Sequence, residues 1–181
     1  VEVQPGTYFE TVDLLGKSIS LTGVAGSGAT FIDAQFSGTA VTISGTKSVT
    51  TIQGFTIKKG VTVEGAGLHL TNCQNLHFID CDIRSNIANN GGGVYADSCV
   101  ITFQDSFIRN NQTNDGTNYG GGLYLNGCSV EMVDTVISGN EASNGAGAYL
   151  FETQLTMTRG GIIGNTAGDS STSGSGGGLY L

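Results

Sequence analysis

Five segments of this chain carry nearly the same phrase, in which small residues precede an alternation of aliphatic and aromatic side chains. The copies occupy residues 65–70, 91–96, 120–125, 145–150 and 176–181. Their third residue is always glycine, and successive copies of it are 25 to 31 residues apart. A period of this length is typical of solenoids, in which each repeat buries its apolar face only by stacking on its neighbours. The repeat therefore predicts an elongated fold built from similar coils.

A second landmark is an asparagine that follows the third glycine by 18 or 19 residues in four repeats: Asn86, Asn111, Asn140 and Asn165. Most of the variation in repeat length lies between this asparagine and the next glycine phrase, which indicates rigid coils with variable loops at one corner. Asparagine tolerates the left-handed backbone of turns, and stacked side-chain amides can hydrogen-bond along the axis. We therefore predict that the four asparagines form a structural ladder.

Apolar and polar residues alternate with a period of two in the rigid part of each repeat, as in half-buried strands. The first and third positions of 76–79, 101–104, 130–133 and 155–158 are apolar, and so is the column Ile83, Ile108, Ile137 and Ile162. No run of helix formers shows the 3.6-residue spacing of a helix. We therefore predict that residues 1–181 form one all-β domain. It is a parallel β-helix of about seven coils, with about three short strands in each coil.

Several phrases resemble those of right-handed parallel β-helix proteins of the pectin-lyase-like superfamily. The segments VQPGTY (3–8), IDA (32–34) and GFTI (54–57) are similar to the first coils of many secreted members. The later repeats are similar to those of polymorphic outer-membrane adhesins. Their Phe-x-x-Asn motif is matched once, by residues 107–110, and their Gly-Gly-Ala-aliphatic phrase is matched only in altered form. The resemblance implies a right-handed coil but no single function, because this fold is shared by lyases, hydrolases, adhesins and fibres.

Charged residues are few, at 12%, and the net charge is −8 with only seven lysines and arginines. Binding to nucleic acid or to an anionic membrane needs clustered basic side chains. Lys58 and Lys59 are adjacent, but Arg84 and Arg109 are isolated in the sequence, so no basic patch is expected. No run of eighteen apolar residues predicts a membrane span. We therefore expect neither nucleic-acid binding nor membrane insertion by this segment.

Cys73, Cys99 and Cys128 share one column, six residues after the third glycine in each repeat. Such a column can be an inert stack of buried thiols, a disulfide between neighbouring coils or a metal site. Zinc sites use closely spaced cysteine pairs with further ligands, and no C-x-x-C motif is present. We favour the inert stack, and a Cys73–Cys99 bridge remains the alternative.

Three aspartates, Asp80, Asp105 and Asp134, form a column that Arg159 interrupts in the next repeat. Stacked carboxylates about 5 Å apart repel one another unless a cation or a raised pKa relieves the repulsion, and calcium uses such oxygen ligands. Each aspartate can instead accept hydrogen bonds from backbone N–H groups at a turn. We favour the turn and expect no cofactor, with calcium as the alternative. Asp82 alternates with Asp80 and with Arg84, and these three form the best candidate for a lyase-type cluster of acidic and basic groups.

One column of the glycine phrase is predicted to point outward between inward aliphatic residues, and its members are His69, Tyr95, Tyr124, Tyr149 and Tyr180. An exposed aromatic stripe can bind sugar rings or a partner protein. It can equally be a stack that stabilises the sheet by cross-strand pairing. The sequence leaves both possibilities open.

The regular repeats and the weakly charged surface, rich in Thr, Ser, Asn and Gly, favour a structural or adhesive module of an extracellular or cell-surface protein, which could form filaments or contact carbohydrate. The alternatives are a polysaccharide lyase or glycoside hydrolase of the superfamily, and a non-catalytic carbohydrate-binding module. We assign no catalytic residue, because glycoside hydrolysis needs two carboxylates at a fixed separation and no such pair is recognisable. The chain begins and ends on strand-like segments, so the expected partners are flanking coils of the same chain or other copies, with polysaccharide as a further candidate.

Overall fold

The computed structural model describes residues 1–114, 116–168 and 174–181. Within these residues the chain forms 25 short strands and no helix, so none of its described segments is a helix that could cross a membrane. The strands are, in chain order, β1 (Glu2–Val3), β2 (Gly6–Tyr8), β3 (Val12–Asp13), β4 (Ser20–Gly23), β5 (Thr30–Asp33), β6 (Val41–Ser44), β7 (Thr50–Gln53), β8 (Thr56–Lys58), β9 (Leu68–Thr71), β10 (Leu76–Ile79), β11 (Asp82–Arg84), β12 (Ile87–Ala88), β13 (Val94–Asp97), β14 (Val100–Gln104), β15 (Phe107–Arg109), β16 (Gln112–Thr113), β17 (Leu123–Asn126), β18 (Ser129–Val133), β19 (Val136–Ser138), β20 (Glu141–Ala142), β21 (Ala148–Phe151), β22 (Gln154–Thr158), β23 (Gly161–Ile163), β24 (Thr166–Ala167) and β25 (Leu179–Tyr180).

Equivalent strands of successive repeats stack in parallel and form the walls of a solenoid. Sheet A contains β1, β4, β7, β10, β14, β18 and β22; sheet B contains β2, β5, β8, β11, β15, β19 and β23; sheet C contains β3, β6, β9, β13, β17, β21 and β25. The seven layers of these three main sheets correspond to about six turns of the described chain. A shorter sheet D adds β12, β16, β20 and β24. The predicted all-β parallel solenoid with three main strands in each coil is therefore confirmed.

The inward side chains form one continuous core, as the period-two alternation predicts. On sheet A, Phe78 and Phe103 come from neighbouring coils and are fully buried, with ring centroids 5.0 Å apart. On sheet B, Ile83, Ile108 and Ile137 form a fully buried stripe. Burial of each such side chain contributes about 2 kcal/mol. Because the strands pair in register, every coil adds its apolar side chains to the stack of the coil before it.

The glycine phrase is required by the close approach of successive coils. Its first glycine adopts the left-handed region, as at Gly91 with a φ of 64°, which an L-residue with a side chain disfavours. At its third glycine a Cβ atom would collide with the next coil. At Gly93, for example, that atom would meet the carbonyl oxygen of Gly122 and the side-chain amide of Asn111. The repeated glycine therefore leaves room for the asparagine column.

The asparagine side chains join successive coils through buried hydrogen bonds. The Asn111 amide donates to the carbonyl of Ile83 at 2.9 Å and to Oδ1 of Asn140 at 3.1 Å, while its own Oδ1 accepts from the amide of Asn86 at 3.0 Å. Gly60 occupies the same column one coil earlier, where its N–H donates to Oδ1 of Asn86 at 2.9 Å. Each asparagine side chain thus provides hydrogen-bond partners for buried backbone N–H and carbonyl groups at the turn. The segments of variable length begin with the sheet D strands and lead into sheet C. The two longest, 112–121 and 166–177, include residues outside the described part of the chain.

Candidate functional site

Sheet C carries an outward column of five aromatic rings, which we call the aromatic ladder. Strand pairing places the rings in direct register along the solenoid axis. Neighbouring ring centroids are 5.1–5.3 Å apart and their planes differ by 4–14°. The structure therefore brings together the five residues of the predicted outward column: His69, Tyr95, Tyr124, Tyr149 and Tyr180.

The faces of the inner ladder rings are occupied by the neighbouring rings, so they offer a ligand their edges and hydroxyl groups. Tyr119, from a variable loop, adds a tilted contact to Tyr149 with centroids 4.7 Å apart. Burial raises the pKa of the Tyr95 hydroxyl, and the nearby charge of Glu64 adds to the effect; burial likewise raises the pKa of Tyr124. These hydroxyls therefore remain protonated donors at neutral pH. A sugar ring cannot stack on the face of an inner ladder ring without displacing its neighbour.

The column aspartates lie at the corner between sheets A and B, and each has a different partner. Asp80 accepts hydrogen bonds from the N–H of Ser27 at 3.1 Å and from its hydroxyl at 2.7 Å. Asp105 accepts one from the side chain of the preceding glutamine at 3.0 Å. Asp134 accepts two from Arg159, at 2.9 and 2.7 Å, and this arginine holds the pKa of Asp134 below its usual value. We expected each aspartate to accept hydrogen bonds from backbone N–H groups. Among the described residues this expectation is wrong for Asp105 and Asp134, whose hydrogen-bond donors are side chains.

The shared property of the three aspartates is their backbone conformation rather than a common ligand. Their φ angles are 47–49°, in the left-handed region that aspartate tolerates better than most side chains. Within residues 1–114, 116–168 and 174–181, no three His, Cys, Asp or Glu side chains converge in a way that could hold a metal ion. The aspartates lie at the turn between sheets A and B in three coils, and Arg159, with a φ of 50°, takes the same position in the next.

The cysteine column is buried, and all of its thiols are free. The N–H of Cys73 contacts Sγ of Cys99, and the N–H of Cys99 contacts Sγ of Cys128, each at 3.4 Å. In the next coil the hydroxyl of Thr153 takes the same place and accepts from the N–H of Cys128 at 3.1 Å. The thiols of Cys99 and Cys128 therefore each accept a hydrogen bond from a turn N–H, as the hydroxyl of Thr153 does. Hydrogen bonds with the neighbouring thiols, together with burial, raise the pKa of Cys99, and burial raises the pKa of Cys81, outside the column, to about 12.

Sheet B brings together basic residues that are separated in the sequence, although aspartates pair with them. Lys58, Arg84 and Arg109 are direct register neighbours on three successive strands. With Lys59, four of the seven basic residues of the chain lie on or beside this sheet. Sequence reasoning missed the cluster because it has no local motif. The only available signal was that these residues follow the inward isoleucines of their repeats by one position.

Asp82 holds two of these cations together on sheet B. It is 8% exposed, accepts two hydrogen bonds from Arg109 at 2.9 and 2.8 Å, and forms an ion pair with Arg84 at 3.0 Å. The hydrogen bond from Arg109 raises the pKa of that guanidinium. The predicted cluster of Asp80, Asp82 and Arg84 is thus formed only in part, because Asp80 is engaged by Ser27.

Asp33 lies in the column of Lys58 and Arg84, one layer before Lys58. It is 1% exposed, accepts a hydrogen bond from Lys59 at 2.9 Å and lies 3.4 Å from Nζ of Lys58. Burial acts to raise the pKa of Asp33, but the hydrogen bonds from Lys59 and from the N–H of Gln35, with both lysine charges, outweigh burial and lower it. The carboxylate is therefore ionised at neutral pH and fixes both lysines on this face.

A cleft of about 420 Å³ opens on the outer face of sheet B beside these ion pairs. We call it the sheet B cleft, and it is lined by the Ser27–Gly28 loop and by Phe31, Thr56, Asp82, Arg84, Phe107 and Arg109. Asp80 fixes the loop through Ser27, and the Thr56 hydroxyl donates to the Ser27 carbonyl at 2.7 Å. The cleft was not predicted, since the loop and its anchor Asp80 are 53 residues apart and belong to no common motif.

Comparisons of the chain with protein-family models, with curated proteins and with solved structures find no significant match.

Proposed function

We propose that this chain is a structural and adhesive module of a secreted or cell-surface protein, and that it contacts its partner through the aromatic ladder. The observation that carries the proposal is the continuous row of partly exposed rings on five successive coils. Four strand spacings give the row a length of about 19 Å. A rigid strip of this length suits an extended partner better than a small molecule.

The physical basis of binding is the mixed character of the ring edges. Tyrosine presents a large apolar body and one polar hydroxyl, and it has few rotatable bonds to immobilise on binding. In the ladder each inner ring is already held between two neighbours, so a partner has little side-chain entropy to remove. The hydroxyls of Tyr95 and Tyr124 are donors at neutral pH, because the ordinary tyrosine pKa of about 10 is already well above 7 and burial raises the pKa of both groups further.

The composition and the family resemblance support the same proposal. The surface is weakly charged and the net charge is −8, which disfavours an anionic partner at sheet C. The later repeats resemble those of outer-membrane adhesins, and the first coils resemble those of secreted pectin-lyase-like proteins. These resemblances support an extracellular location. Because the inner ring faces are covered, a polysaccharide partner would contact hydroxyls and ring edges instead of stacking on the rings.

The test compares two tyrosine variants with one matched control. Tyr95→Thr and Tyr124→Thr place in the ladder the residue type that Thr42 already supplies at the same register position. Phe151→Thr removes an aromatic ring, 51% exposed, from another outward column of the same sheet. Binding is measured on immobilised neutral polysaccharides and on extracellular-matrix layers, with the melting temperature of each variant recorded in parallel.

The proposal expects the unmodified chain to bind at least one of these surfaces, and each tyrosine variant to bind it about tenfold more weakly. Phe151→Thr should bind as the unmodified chain does. Equal binding by all variants, or no binding to any surface by the unmodified chain, would contradict the proposal.

A further inference from the structure

We infer that the sheet B cleft binds a small organic monoanion, a carboxylate carried on a ring. This inference concerns a different face of the solenoid from the aromatic ladder and does not depend on the proposed adhesive function. It rests on three features of the cleft: two separated phenylalanines, a pair of guanidinium groups around one carboxylate, and a wall that is fixed before any ligand binds.

The two phenylalanines mark the ends of the cleft. Phe31, Thr56, Asp82 and Phe107 occupy successive positions of one outward column on sheet B. Three strand spacings separate the Cα atoms of Phe31 and Phe107 by about 14 Å. Between them the column carries Thr56 and Asp82, which are 2% and 8% exposed, so a ligand ring would lie over these two side chains in the cleft of about 420 Å³. Phe107 is 47% exposed, and the guanidinium carbon of Arg109 lies 5.8 Å from the centre of its ring.

The arginines that line the cleft indicate that its ligand is negatively charged. Arg84 and Arg109 line the cleft together with Asp82, which leaves one net positive charge. Asp82 uses two N–H groups of Arg109, and in the described part of the chain no hydrogen bond engages the other donors of this guanidinium. The Nε of Arg84 is buried and lies 3.0 Å from Oδ2 of Asp82, so Arg84, like Arg109, turns its Nε toward this carboxylate. Two guanidinium groups beside one carboxylate form a site for a second planar carboxylate.

The surrounding charges favour a monoanion over a dianion. Lys58 and Lys59 share the single carboxylate of Asp33 and add one positive charge to this face. Asp80, behind the Ser27 loop, removes one. A phosphate dianion would therefore be incompletely neutralised, and it would be repelled by Asp82 at the floor of the cleft. A carboxylate matches both the planar donors and the single excess charge.

The cleft is organised before binding because its loop is pinned from two sides. Asp80 accepts both the N–H and the hydroxyl of Ser27, and Thr56 donates to the carbonyl of the same residue. The loop can cross the intervening coil because that coil has Gly54 at the corner, where a Cβ would press against Gly23 and Gly26. Lys58, whose ammonium lies 4.8 Å from the centre of the Phe31 ring, supports the opposite wall. A ligand therefore has little protein conformational entropy to remove.

The inference is tested by titrating the ¹⁵N-labelled chain with benzoate and, separately, with glucuronate. The two titrations distinguish binding of an aromatic acid from binding of a sugar acid. Benzamide and glucose are the neutral counterparts, and inorganic phosphate is the dianion. The amide signals of Ser27 and Gly28 report binding. We expect saturable shifts with at least one carboxylate at millimolar concentration, and binding about tenfold weaker for its neutral counterpart.

Three variants assign the site. Arg84→Gln should weaken carboxylate binding about tenfold while Arg109 continues to hold Asp82, and Phe107→Ala should weaken it about threefold without a change in melting temperature. Arg159→Gln removes another aspartate-bound arginine from a distant corner and should bind as the unmodified chain does. Absence of saturable shifts with both carboxylates, equal binding of the neutral rings, tighter binding of phosphate, or unchanged binding by both Arg84→Gln and Phe107→Ala would each overturn the inference.

Discussion

The outward faces of sheet C and sheet B are built on the same coil, yet they carry opposite kinds of surface. On sheet C the same residue type returns at the same register position, so each ring finds its partner in the next coil. On sheet B the column changes from Phe31 to Thr56, Asp82 and Phe107, so unlike groups meet. On sheet C, repetition of one residue type lets the side chains pack on one another. On sheet B, variation between coils produces a cleft lined by aromatic, acidic and basic side chains.

The largest loss of stability is expected on sheet B, when the charge of Asp82 at the floor of the cleft is removed. Asp82→Asn leaves Arg84 and Arg109 side by side without their shared carboxylate, and should lower the free energy of unfolding by about 2 kcal/mol. Urea unfolding measures this effect. Asp134→Asn is the matched control, since the pair of Asp134 with Arg159 is exposed and its loss should be undetectable. Equal effects of the two substitutions would mean that the sheet B charges are no more buried than an ordinary surface pair.

A smaller effect is expected on sheet C. Tyr124→Thr removes two ring stacks, with Tyr95 and Tyr149, and should lower the free energy of unfolding by about 1 kcal/mol. Phe151→Thr on the same sheet should have no measurable effect. If Tyr124→Thr were as harmless as Phe151→Thr, the ladder would contribute nothing to the stability of the sheet, and its regularity would need another explanation.

A third effect concerns Asp33, and it depends on pH. Its pKa is lowered in the folded chain, so it stabilises the fold above the ordinary aspartate pKa of about 4, and this contribution is lost as the pH falls through the folded pKa. Asp33→Asn should therefore lower the melting temperature at pH 7, and its difference from the unmodified chain should vanish near pH 2. Glu131→Gln, at an exposed position on sheet A, is the control. A difference that persists in acid would show that the substitution acts through packing.

The sequence predicts the outward face of sheet C well and that of sheet B poorly, for one physical reason. The glycine phrase repeats because every coil needs the same close approach, and the aromatic ladder is predicted because it lies within that phrase. The sheet B cleft depends on residues that differ from coil to coil and on a loop that crosses Gly54 to reach Asp80. When unlike residues contact one another along the solenoid axis, the sequence shows no periodic pattern that would predict the contact. The isolated positions of Arg84 and Arg109 in the chain therefore concealed a cluster that the stacking creates.

The same reasoning explains the short sheet D. The asparagine column predicts a turn, but two-residue strands such as β12 and β20 are too short to show alternation. Only their stacking on one another identifies them as strands. The three main strands in each coil were predicted because each holds an apolar column long enough to recognise.

The central claim is that residues one repeat apart in sequence are neighbours in space. It is tested most directly by nuclear Overhauser contacts between tyrosine rings in an otherwise deuterated chain. The structure predicts ring contacts of Tyr124 with both Tyr95 and Tyr149, and of Tyr149 with both Tyr180 and Tyr119. Tyr8, which lies on sheet B, should contact none of them. Absence of the Tyr95–Tyr124 and Tyr124–Tyr149 contacts from a folded sample would contradict the stacking on which both faces depend.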